Sequence, residues 1–121
     1  MYLVLFVLDD ADHLEDLLDA WESVGVTGAT IFPSTGLGRI RQFDGYRDDL
    51  PLMPGLDDLY QMRGEFHRTL FTVVKDDQMV DELVAATQRV IGDLEQPDTG
   101  FLVVLPVVKT YGLMKRKKKP D

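Results

Sequence analysis

Tyr2-Leu3-Val4-Leu5-Phe6-Val7-Leu8, closed by Asp9-Asp10, and Thr69-Leu70-Phe71-Thr72-Val73-Val74, closed one residue later by Asp76-Asp77, are the stretches on which the fold turns. Each is a short apolar run ended by paired acids, and each leads into an amphipathic segment. Met1–Leu8 therefore predicts a buried strand. Phe66–Val74 predicts another, rich in β-branched and aromatic residues. After the first, Leu14, Leu17, Leu18, Trp21 and Val24 fall on one helical stripe. Asp12 and Glu15 have the spacing of a capping box, and Gly25 supplies a C-terminal stop. After the second, Val80, Leu83, Val84, Thr87, Val90, Ile91 and Leu94 share a helical face. Ala29–Pro33 and Phe101–Leu105 read as further strands, Pro97–Gly100 as a turn, and Pro106–Tyr111 as an added edge or crossover strand.

The order is β-α-β, a long loop, then β-α-β. Two such halves predict an α+β sandwich of the ferredoxin-like, split βαβ kind: a four-stranded antiparallel sheet with two helices on one face. Strand 1 is apolar at both phases of the pleat, so the uncovered face is expected to meet another copy of the chain. The chain of 121 residues fits one domain, residues 1–114, followed by a basic tail, 115–121.

Composition narrows the function classes. Apolar residues make up 45% and charged residues 28%, the balance of a globular chain rather than a disordered one. The absence of cysteine excludes disulfides, thiolate metal sites and cysteine nucleophiles. The longest apolar run is too short to cross a bilayer and lacks the flanks of a signal peptide, so a cytoplasmic location is expected. Residues 115–121 hold five positive charges and one negative, a net of +4; residues 1–114 hold eight positive and twenty negative, a net of −12. Such a body is repelled by nucleic acid and by anionic membrane, and only the tail suits contact with either.

The candidate chemistry is sparse. Gly36-Leu37-Gly38-Arg39 follows a strand and opens the long excursion over residues 40–65. Two glycines let backbone N–H groups approach an anion and the guanidinium adds a bidentate donor, although glycines there also serve simply to turn the chain. His13 and His67, the only histidines, have no metal-ligand spacing, so no metal site is expected. The Asp-Asp pairs at 9-10 and 76-77 read as helix starts, and those at 48-49 and 57-58 lie in the loop. No hydrolase or other enzyme motif is present, and the expectation is a non-enzyme. Phe43, Tyr46, Leu52, Met53 and Tyr60 make the loop too apolar for an idle one, which points to a partner-binding segment or to packing on a neighbouring subunit.

Several of these stretches, in order, resemble the PII signalling family. Gly25-Val26-Thr27-Gly28-Ala29-Thr30-Ile31 and then Gly36-Leu37-Gly38-Arg39 are similar to the family's Gly-x-x-Gly-Met-Thr-Val and Gly-aromatic-Gly-Arg. Val73-Val74-Lys75-Asp76-Asp77 is similar to its Val-Val-Pro-Asp-Asp, and Asp98-Thr99-Gly100-Phe101-Leu102-Val103 stands where the family has Gly-Asp-Gly-Lys-Ile-Phe. The resemblance runs to about Val107. It implies a homotrimer that binds a small effector, usually an adenine nucleotide, in clefts between subunits. It also implies that a long T-loop, here residues 40–65, docks on a partner protein. Position by position, Thr30 would lie by the base, Gly36, Gly38 and Arg39 by phosphate at the loop root, and Gly100 in the phosphate turn across the subunit boundary.

This chain departs from the family at the cations. Phe101 replaces the lysine of the phosphate turn, Lys109 to Tyr111 replace an arginine pair, and Ile40 replaces the glutamine after the arginine. Losing several charge-assisted bonds at ~1.5–3 kcal/mol each argues against strong ATP binding. The implied effector is less charged, such as AMP, a cyclic nucleotide or another small anion, with no permanently bound cofactor. The alternative is a ligand-independent trimeric interaction module that docks on a membrane or enzyme partner. A metal-responsive trimer of the same design, using His67, is a third reading.

Overall fold

The computed structural model describes residues 1–37 and 67–113. Strand β1 (Tyr2–Leu8) runs into a single 3-10 turn (Ala11–His13) and helix α1 (Leu14–Ser23). Strand β2 (Thr30–Ser34) follows, then β3 (His67–Val74), helix α2 (Asp77–Ile91) and β4 (Gly100–Pro106). The four strands form one sheet in the order β2-β3-β1-β4, with every neighbouring pair antiparallel. That is the ferredoxin-like architecture: β3 splits β1 from β2, and β1 splits β3 from β4.

The pleat sorts the side chains. Val4, Phe6 and Leu8 of β1 and Leu70 and Val74 of β3 point to one face and are buried there with Leu17 and Trp21 of α1 and Leu83 of α2. The striped positions Leu14, Leu18 and Val24 pack half-buried around them. Trp21 and Thr87 join the two helices: the indole Nε1–H donates to Thr87 Oγ1 at 2.9 Å, and that hydroxyl donates on to Leu83 O. A buried Trp N–H and a buried Thr hydroxyl thus satisfy each other inside an apolar core.

Three local expectations are corrected. The acid that begins the first helical stretch is Asp10, whose Oδ1 accepts from Asp12 N–H at 3.0 Å; no side chain caps α1 itself, so Asp12 and Glu15 form no capping box. Ala86, small and absent from the expected stripe, is fully buried in α2. Pro106–Tyr111 adds no strand: β4 ends at Pro106, Val107 N–H donates to Met1 O, and residues 108–113 continue as bends.

Among the described residues, no helix covers the opposite face of the sheet. Leu3, Leu5, Val7, Phe71 and Val73 line its middle half-buried, while Phe32, Phe101, Val103 and Leu105 are exposed toward its edges. Phe101 is 57% exposed. The apolar second phase of β1 is thus laid out on an uncovered surface.

Candidate functional site

The two ends of the sheet differ. At the end where β2 begins and β3 stops lies a cavity of about 990 Å³. Its frame is the connector from α1 to β2. Gly25 adopts φ +106, a left-handed conformation that suits glycine, and turns the chain out of the helix. Val26 N–H reaches back to Trp21 O at 3.1 Å, and Val26 is buried. Thr72 Oγ1 donates to Gly28 O at 2.6 Å and ties the connector to β3. Thr27 and Thr30 are then presented on the wall, with Phe71, Val73 and Met79 as apolar lining and Lys75 at the rim of β3. Thr110 and Leu113, beyond β4, close the cavity over Met1.

Two acids follow Lys75 in sequence. Asp76 is the N-cap of α2 and accepts from Met79 N–H at 2.9 Å. The Asp77 carboxylate raises the Tyr2 phenol above its ordinary value of 10.0, by hydrogen bonding to the protonated form and by its negative charge.

At the other end β2 stops and β3 begins. Ser34 Oγ and Thr69 Oγ1 share a hydrogen bond of 2.7 Å, and His67 Nε2 lies 3.0 Å from Asp9 Oδ1. Gly36 sits beside the His67 ring. Thr35 Oγ1 is buried with no partner among the described residues. Gly100, at φ +112, begins β4 opposite Leu8, and a side chain there would run into the Val7 carbonyl. This glycine has a packing reason as well as any ligand one.

The expected site residues are therefore distributed rather than gathered. Thr30 lines the cavity, while Gly36 is six positions away, up to about 20 Å of extended chain. Gly36 and Gly100 follow β2 and open β4, the two edges of the sheet, about 14 Å apart at ordinary strand spacing. Gly38, Arg39 and the loop residues Phe43, Tyr46, Leu52, Met53 and Tyr60 lie outside the described residues, as does the tail 115–121. Lys75 was missed by the sequence reading; the visible signal was a lysine standing where the resembled pattern has proline.

Among the described residues no three His, Asp or Glu side chains are placed to hold a metal ion; Asp9 and His67 supply two donors. No described helix is long and apolar enough to cross a membrane. No protein-family model matches the chain, and no curated protein matches it.

Proposed function

We propose that this chain is a PII-like effector sensor of the cytoplasm. It binds a small anionic effector, an adenine or cyclic nucleotide, at clefts between subunits of a homotrimer, and it signals to a partner protein through residues 40–65. The observation that carries this reading is the cavity around Thr30. It combines threonines, an exposed glycine backbone, apolar walls and a lysine, which is the mixture that orients a small polar molecule with a flat apolar body. The distribution of Gly36 and Gly100 on opposite sheet edges supports a site completed by a neighbouring copy. The uncovered apolar face supports the association itself.

In this mechanism the ligand stabilises one arrangement of the loop over another, and its differential affinity for the two is the whole source of the signal. A thermal-shift screen of AMP, ADP, ATP and cyclic nucleotides tests it. A ligand selective for the folded chain raises the melting temperature by mass action. No shift with any of them at millimolar concentration rejects effector sensing. It leaves a constitutive interaction module, which the apolar face also suits. Light scattering tests the trimer: the expected mass is three times 13.7 kDa, and a monomer mass rejects it.

A further inference from the structure

Among the described residues, one basic side chain lines the cavity, and the α-amino group of Met1 is the other cation in its lining. Of the basic side chains among the described residues (Arg68, Lys75, Arg89 and Lys109), only Lys75 lines it. Lys75 is exposed at the end of β3 and forms no ion pair within the described residues. Of the two carboxylates that follow it, Asp76 accepts from Met79 N–H and Asp77 acts on the Tyr2 phenol. Thr27 and Thr30, exposed in the same lining, make no side-chain hydrogen bond among the described residues. The surrounding body, residues 1–114, carries a net of −12. In such a field each anionic group on a ligand that lacks its own cation raises the cost of binding.

We infer that Lys75 is the anion anchor of the Thr30 cavity and that its ligand carries one anionic group beside an apolar or planar body, as a nucleoside monophosphate or cyclic mononucleotide does, and not a polyphosphate. The inference rests on the effector-sensing reading above and sharpens it. It moves the charge recognition from the Gly36 end of the sheet to the opposite end. The ammonium contacts the phosphate, the threonine hydroxyls donate to it or to the sugar, and Phe71, Val73 and Met79 receive the base.

Titration calorimetry of the full chain with AMP, cyclic AMP, ATP and uncharged adenosine tests this, using the wild type and the Lys75→Gln, Lys75→Arg and Arg39→Gln variants. Lys75 is exposed, so Lys75→Gln is expected to keep the unliganded melting temperature. The expected result is that Lys75→Gln weakens AMP or cyclic AMP at least ~10-fold, with little change for adenosine, as loss of a charge-assisted hydrogen bond requires. Lys75→Arg retains most of the affinity, and ATP binds no tighter than AMP. Three outcomes overturn the proposal while leaving effector sensing intact: equal weakening of AMP and adenosine, tighter binding of ATP, or a loss of AMP affinity in Arg39→Gln but not in Lys75→Gln. Failure of the wild type to bind any of the four overturns effector sensing and the anchor together.

Discussion

The two βα halves begin with the same dipeptide and put it to different uses. In the first, Asp9 leaves the backbone path to meet His67 across the sheet, and Asp10 caps a 3-10 turn before α1 starts at Leu14. In the second, Asp76 caps α2 directly, and Asp77 in its first turn raises the pKa of the Tyr2 phenol. The result is a 10-residue helix in one half and a 15-residue helix in the other. Equal sequence signals do not fix equal structures; the neighbour across the sheet decides which acid is free to cap.

Substitutions probe how far the halves depend on each other. The largest effect is expected at Trp21, the side chain by which the first half grips the second. Trp21→Ala deletes a fully buried indole and leaves Thr87 Oγ1 without its donor, at a cost of about 3–5 kcal/mol in urea unfolding. Gly100→Ala comes next. It asks for a left-handed backbone and meets the Val7 carbonyl, so a loss of about 1–3 kcal/mol is expected. Gly28→Ala, with open space around the glycine and no positive φ, should be close to neutral. The cap variants sharpen the comparison directly: Asp76→Ala should cost about 1 kcal/mol of stability, and Asp10→Ala less, because Asp10 serves a single exposed turn. Equal losses at the two positions would show that the halves start their helices alike.

The smallest effect is a pH dependence. Tyr2 holds its proton more firmly in the folded chain than in the unfolded one, because of Asp77. Its contribution is therefore complete below the ordinary phenol value of 10.0 and is lost as the pH rises through that value and the raised folded one. Denaturation at pH 8 and pH 11 should show a larger alkaline loss for the wild type than for Tyr2→Phe; identical losses would remove the Asp77 contact as a contributor.

Much of the fold was legible because periodicity reports burial. The unbroken apolar run Tyr2–Leu8 and the stripe ending in Trp21 and Val24 are consequences of burial, and they survive into the structure with shifts of a residue at the ends. What escaped was set by partners distant in sequence. Asp10 rather than Asp12 begins the helical stretch, and Ala86 is fully buried although it stands outside the apolar stripe. The candidate site was legible only at single positions. Thr30, Gly36 and Gly100 could be named from local pattern, but their separation follows from strand order, which no local pattern encodes. Lys75 belongs to the cavity because the connector at Gly28 is tied to Thr72, a contact spanning 44 positions.

The strand order has a kinetic consequence. None of the three pairings among the described strands joins close neighbours in sequence: the nearest partners are Ser34 and His67, and Tyr2 must find both Val74 and Pro106. A sheet assembled wholly from such distant pairings has a high contact order and folds slowly for its size. The same arrangement makes the sheet tolerant of change in the chain between β2 and β3. Doubling the length of that connection adds only about 0.6 kcal/mol of closure entropy. The segment that would address a partner can therefore be lengthened, shortened or exchanged between related chains while the sheet that positions it stays the same.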